Sequence, residues 1–295
     1  MVAEIMQDQA EGLRRLLGGD FVRIITLTGG KAGVGKTSLV VNLAVTLARR
    51  GKNVMVLDEQ QGQNSVVGRL GLVPRFDLMH VVRREKSLEE VMLSGPEGIA
   101  IVPAGKGMQA LAGLSAADQE WLVRSFGQLP NPVDVVLVDA AAGIASNVLP
   151  PSLAAQDLVV VVSQHAASIT DSYALIKVLS RDFAKQRFHI LVNRVGSEEE
   201  AMRIYDNLSQ AAGRFLGVTL DFMGFVPADE KLRQAAKLGR PVVEAFPQAS
   251  STAALRRLAE TVEQWPSPNG DHGRLEVFMQ RLIQSSRVAA GSFGS

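Results

Sequence analysis

Residues 29–38 read Gly29-Gly30-Lys31-Ala32-Gly33-Val34-Gly35-Lys36-Thr37-Ser38, a spacing of glycines, lysine and hydroxyl suited to holding phosphate. In GxxxxGK[ST] the glycines let backbone N–H groups turn inward around an anion, the lysine reaches the β- and γ-phosphates, and the hydroxyl ligates Mg²⁺. Lys36 and Thr37 take the last two roles. A carboxylate must complete the metal's surroundings, usually from the end of a neighbouring strand. Asp139 closes Val133-Asp-Val-Val-Leu-Val138, and the Ala140-Ala-Ala-Gly143 that follows suits a loop that senses the γ-phosphate. Asp58, ending Val56-Leu57, is the second candidate. Asn193 and Pro227 each follow a strand and are candidates for the purine side, Asn193 through its amide. No serine or cysteine nucleophile is paired with a base, so hydrolysis would use water activated by positioning. Lys31 is the unusual residue: an ordinary P-loop needs no cation five residues before its lysine.

The elements that must position these groups are legible as an alternation. Strands are predicted at 22–28, 53–57, 99–102, 134–138, 158–162, 188–192 and 220–226. Their near-continuous hydrophobicity is that of parallel strands covered on both faces. Helical patterns lie at 38–50, 79–93, 115–128, 168–183, 199–216 and 229–237. The expected fold is a doubly wound, mostly parallel α/β sheet, with its ligand beyond the carboxyl ends of the strands. Three parts follow: an N-terminal amphipathic helix within 1–19, the core domain at 20–264, and a linker, amphipathic helix and tail at 265–295. Leu275, Phe278, Met279, Leu282 and Ile283 share one face of the last helix, and Ala289 to Ser295 read as disordered.

The chain has 295 residues, enough for a large core, with 46% hydrophobic and 21% charged residues. A net charge of +1 argues against a strongly basic nucleic-acid binder. With no cysteine, disulfides, iron–sulfur clusters and thiolate zinc sites are excluded, and a reducing compartment is expected. The four histidines lack metal-ligand spacing and read as surface or packing residues. No signal peptide or bilayer-spanning run is seen. The expected location is the cytoplasm, with peripheral contact at the inner face of the cell membrane at most.

The paired lysines of Gly30-Lys31-Ala-Gly-Val-Gly-Lys36-Thr37, together with Asp58 and Asp139-Ala-Ala-Ala-Gly143, resemble the deviant Walker A ATPases of the MinD/ParA group. Within it the chain is similar to the flagellar-number regulators called FlhG or FleN. That likeness runs through Ser87-Leu-Glu-Glu-Val91, Gly95-Pro-Glu-Gly98 and Ile101-Val-Pro-Ala104. It continues through Ser168-Ile-Thr-Asp171, Leu220-Asp-Phe-Met-Gly224 and Val242-Val-Glu-Ala-Phe246. The resemblance implies ATP/ADP and Mg²⁺ as cofactors, bound by residues 30–38 with Asn193 and Pro227. It implies a homodimer formed with ATP, in which Lys31 crosses to the nucleotide of the other subunit. ATP then acts as a ligand with differential affinity for the dimer. Asp8, Gln9, Ala10, Leu13 and Arg14 match a segment through which the family stimulates the GTPase FlhF. In polar flagellates the resemblance adds the transcriptional regulator FleQ as partner. The C-terminal helix resembles a membrane-targeting helix released on dimerisation, with weak affinity because only Arg274, Arg281 and Arg287 are basic there.

Three departures bear on chemistry. The family's first switch reads DxDxG, and if Asp58 is its first acid, Gln60 stands where the second belongs. Glutamine can orient water but is a poorer general base; a shifted alignment would let Glu59 supply the acid. Ser163-Gln164-His165-Ala166-Ala167 replaces acidic residues and a proline. Ala32 replaces a usual glycine, which is tolerable if its φ is negative. The leading reading is an ATP-dependent dimerising switch regulating flagellar number. The alternatives are a degenerate nucleotide-binding scaffold with little turnover and, less favoured, a ParA-like DNA-partitioning ATPase. No direct, specific nucleic-acid contact is expected.

Overall fold

The computed structural model describes residues 21–145, 148–266 and 273–292. The strands are β1 (Arg23–Thr28), β2 (Val54–Asp58), β3 (Leu93–Ser94), β4 (Ala100–Pro103), β5 (Val135–Asp139), β6 (Asp157–Ser163), β7 (Arg187–Val195) and β8 (Thr219–Pro227). They form one sheet in the order β3-β4-β2-β5-β1-β6-β7-β8. All pairs are parallel except the short antiparallel β3–β4 edge. The doubly wound sheet is therefore present, and the sequence pattern missed only the two-residue edge strand.

The longer helices are α1 (Lys36–Arg49), then α6 (Ala116–Gly127), α8 (Ala166–Arg181), α9 (Glu198–Leu216), α12 (Ser250–Gln264) and α13 (Leu275–Ser292). Shorter ones are α2 (Val66–Arg69), α3 (Leu78–Val82), α4 (Leu88–Val91), α5 (Gly105–Ala110), α7 (Pro150–Ala154), α10 (Glu230–Lys237) and α11 (Val242–Ala245). Alternate strand residues point to opposite faces. Ile25, Leu27, Val56 and Leu137 pack under α1 and α12. Ile24, Leu57, Val136 and Val138 pack under α6 and α13. Val160, Val162, Ile190 and Val192 pack under α8 and α9.

Three sequence expectations need correction. The single helical pattern at 79–93 is α3 and α4, because Asp77 with His80 and Ser87 with Glu90 each form a capping box. Between them Arg84 adopts φ 61°, which no helix continues through. The helix α12 was not foreseen. The C-terminal helix runs on to Ser292, so 289–292 are helical rather than disordered; Ala289 is itself buried.

The expected linker at 265–271 is described only at Trp265 and Pro266, which are tied down. Arg23 donates from Nη2 to the carbonyls of Trp265 at 2.9 Å and Pro266 at 2.7 Å. The Trp265 ring stacks on His189 with centroids 4.1 Å apart. Among the described residues no helix is long and apolar enough to cross a membrane.

Lys185, after α8, donates from Nζ to the Ala155 carbonyl at 2.7 Å. Burial, with the nearby Arg281 of α13 adding repulsion, pushes its ammonium down to about 8, against the attraction of Asp157. The unfolded chain keeps this proton up to about pH 10.5, so between the two values it binds more protons than the folded one. Stability therefore rises with pH across that window. Lys185→Met should flatten the rise, measured by urea unfolding at pH 7.5 and pH 10; parallel profiles for the two proteins would contradict this.

Candidate functional site

The P-loop joins β1 to α1 at the carboxyl edge of the sheet. Its last glycine, Gly35, is the N-cap of α1 at φ 98°, and the first turn of α1 carries no acid, leaving its N–H groups open to an anion. A Cβ on Gly35 would lie 2.3 Å from Asn193 Nδ2. A Cβ on Gly30 would lie 2.0 Å from the Asp171 backbone, so α8 presses directly on the loop. Ala32 lies outside the left-handed region, which is what its side chain requires.

The two lysines are placed differently. Lys36 is buried, and burial pulls its pKa below the ordinary lysine value against the attraction of Asp139 and Glu59. Lys31 is exposed at the lip of the loop. Thr37 is buried beside Lys36.

Both candidate carboxylates stand side by side, because β2 and β5 pair with Asp58 opposite Asp139. Both are fully buried. Burial raises Asp139 to about 6, opposed by the Thr37 hydroxyl and by the charges of Lys36 and Arg69. Beyond the nearby Thr37 hydroxyl, neither oxygen of Asp139 has a hydrogen-bond partner among the described residues. An orphaned buried carboxylate beside a threonine hydroxyl fits a hard divalent cation with oxygen ligands. Asp58 is employed otherwise: Oδ1 accepts from Gln60 N at 3.1 Å and Oδ2 from Val67 N at 3.3 Å. Burial, and the charge of Asp139, push Asp58 to about 7. Its carboxylate anchors the switch backbone, whereas that of Asp139 stands open beside Thr37.

The side chains of Glu59 and Gln60 both reach the loop after β5. Gln60 Nε2 donates to the Ala140 carbonyl at 3.0 Å. Glu59 Oε2 accepts from Ala141 N at 2.7 Å and lies within the field of Lys36, Asp139 and Asp58. Burial raises Glu59 to about 7. Both residues thus stitch the first switch to the loop after β5. Glu59 is the extra acid among the phosphate-side groups, where Gln60 brings none.

On the other side of the P-loop a cleft of about 510 Å³ is lined by Gly35, Ser38, Asn193 and Pro227, with α10 as its wall. Asn193 Nδ2 is taken by the Val34 carbonyl at 2.7 Å, while Oδ1 is buried without a partner among the described residues. Only the carbonyl half of this amide is therefore free for a base, narrower than the sequence suggested. Arg194 was missed. It adopts φ 62° and donates from Nη1 to the Gly33 carbonyl at 2.9 Å, buttressing the loop. The exposed Gln164 and His165 sit at the mouth of this cleft.

The remaining expected sites lie elsewhere. Asp8, Gln9, Ala10, Leu13 and Arg14 fall outside the described residues. Leu275, Phe278, Met279, Leu282 and Ile283, expected to face a membrane, are all buried in the domain's own core. That face sits against α6 and α7, and membrane contact through it would require α13 to leave the domain.

Comparison with known proteins follows the same lines. A family model described as CobQ/CobB/MinD/ParA nucleotide binding domain matches residues 25–242. The chain is 41% identical over 263 residues to Antiactivator FleN of Pseudomonas aeruginosa, covering 89% of this chain and 94% of that protein. It is 27% identical to the flagellum site-determining protein YlxH of Helicobacter pylori, covering 72% of each. A chain of the MinC:MinD cell division protein complex of Aquifex aeolicus superposes with a TM-score of 0.64 at 24% identity, covering 84% of this chain and 98% of that one. MinD complexed with Mg-ADP from Pyrococcus horikoshii superposes with a TM-score of 0.64 at 22% identity, covering 82% and 96%.

Proposed function

Because the chain belongs to the MinD/ParA nucleotide-binding family, and within it to the FleN/FlhG type, we propose that it is an ATP-dependent dimerising switch ATPase. It regulates flagellar number and placement, a role supported by the name of YlxH, a flagellum site-determining protein. The observation that carries this reading is the contrast between two lysines of one loop. Lys36 is buried and can serve only the nucleotide of its own subunit, whereas Lys31 is exposed at the rim. A cation there gains a phosphate partner when a second ATP-loaded subunit faces it. ATP thereby favours the dimer by differential affinity. Partners follow from the resemblance: an FlhF-type GTPase at residues 8–14 and a FleQ-type transcription regulator.

In the loaded site Lys36 holds the β- and γ-phosphates, and the N–H groups of the P-loop cradle the chain of phosphates. Thr37 and Asp139 would hold Mg²⁺, which would supply charge neutralisation to the phosphates. Asp58 keeps the first switch closed on α2 through Val67 N. Glu59 accepts the proton of the attacking water, its pKa near 7 matching that task at neutral pH.

A second reading, a nucleotide-binding scaffold with little turnover, is favoured by Gln60, whose amide is spent on Ala140. Phosphate release separates the two. The switch ATPase predicts that Glu59→Gln lowers steady-state release by about a hundredfold, the usual worth of a general base, while nucleotide affinity is retained. A wild-type rate equal to that of Lys36→Ala would establish the scaffold instead.

A further inference from the structure

Of the four cationic side chains that line the nucleotide cleft, Arg69 alone has a buried donor without an acceptor among the described residues. Arg69 is the last residue of α2, directly after the first switch, and lines the cleft together with Gly35, Ser38 and Leu39. Its Nε is buried and has no hydrogen-bond partner among the described residues. A buried guanidinium donor without an acceptor is costly, and it points to an acceptor that the protein itself does not supply. The other two arginines of the cleft wall differ, since Arg233 is paired with Glu230 and Arg194 donates to the Gly33 carbonyl.

Arg69 is also held in place from both ends. Ser65 caps α2 by accepting from Gly68 N at 3.0 Å, and Asp58 Oδ2 accepts from Val67 N at 3.3 Å. On the far side its carbonyl is 3.6 Å from where a Cβ on Gly239 would stand, so the turn after α10 backs it. The Arg69 side chain lines the same cleft as Ser38 of the first turn of α1, and its charge also reaches Asp139. Lys36 and Asp139 mark the β/γ end of the phosphate chain and Asn193 with Pro227 the base end. Ser38 follows Thr37 and lines the cleft on the way to the base end, where the α-phosphate would come.

We infer that Arg69 is a nucleotide ligand supplied by the helix after the first switch, its guanidinium bonding the α-phosphate end shared by ATP and ADP. The fork geometry of arginine suits two phosphate oxygens at once. Since Val67 of the same helix hangs on Asp58, closure of the first switch and the grip on the α-phosphate are mechanically joined. This inference rests on the proposed nucleotide binding and adds a residue to it.

The test is calorimetric titration of the full chain with Mg-ATP and with Mg-ADP, for wild type, Arg69→Leu and Arg69→Lys. Arg69→Leu should raise Kd for both nucleotides by a similar factor of about ten or more, the loss of one charge-assisted hydrogen bond. Arg69→Lys should recover part of it. The melting temperature without nucleotide should stay at the wild-type value, which a packing role would not allow. If Arg69→Leu lowers that melting temperature, Arg69→Gln is judged by the same affinities. Unchanged Kd values overturn the inference, and weakening of ATP alone overturns its placement at the α-phosphate. Wild-type protein that binds neither nucleotide overturns the underlying function instead.

Discussion

Lys36→Ala should raise the Kd for Mg-ATP by about a hundredfold or more, while the protein remains folded. The lysine sits at the first position of α1, buried, with its ammonium drawn towards Asp139 and Glu59. Hydrogen bonds to charged groups contribute about 1.5–3 kcal/mol each. Two such bonds to phosphate oxygens, lost together, correspond to at least about 3 kcal/mol, or two powers of ten in Kd. Lys31 cannot replace it, being exposed on the outer side of the loop. Calorimetric titration checks the value, and a loss below tenfold would mean that the phosphates lie elsewhere.

Phe278→Ala should destabilise the whole domain by about 3–5 kcal/mol, the range for removing a large buried aromatic side chain. Phe278 is 2% exposed and Met279 and Leu282 beside it are fully buried, packed with Leu122 and Phe126 of α6. The approach is close: a Cβ on Gly127 would lie 2.2 Å from Glu276 Oε1. The start of α13 is fixed too, Val22 N donating to the Gly273 carbonyl at 2.6 Å. A helix kept for membrane contact and only loosely docked would lose less than about 1 kcal/mol on this substitution. Urea unfolding followed by circular dichroism distinguishes the two. The size of the effect also bounds how readily α13 can be released.

The parts legible in the sequence were those with a local signature. The P-loop announces itself because glycine spacing, lysine and hydroxyl must be contiguous to wrap a phosphate. The parallel strands announce themselves because burial on both faces demands unbroken runs such as Leu158–Val162. Arg194 and Arg69 were not legible. Each is a single arginine in ordinary company, and its role comes from contacts across the fold, to Gly33 in one case and to the cleft beside Ser38 in the other. The choice between Glu59 and Gln60 was equally beyond an alignment. It depends on which side chain the loop after β5 turns towards Lys36, and that is set by bonds to Ala140 and Ala141. The face of α13 was misleading for a different reason. An apolar stripe looks the same whether it meets lipid or α6, and only tertiary packing separates the two.

The central claim is that ATP pairs two copies of this chain through Lys31. Size-exclusion chromatography with light scattering, on wild type and Lys31→Ala with Mg-ATP, Mg-ADP or no nucleotide, tests it most directly. A dimer is expected only for wild type with ATP, and a monomer for Lys31→Ala under every condition although it still binds ATP. A wild-type monomer in saturating ATP, or a Lys31→Ala protein that dimerises as wild type does, would contradict it.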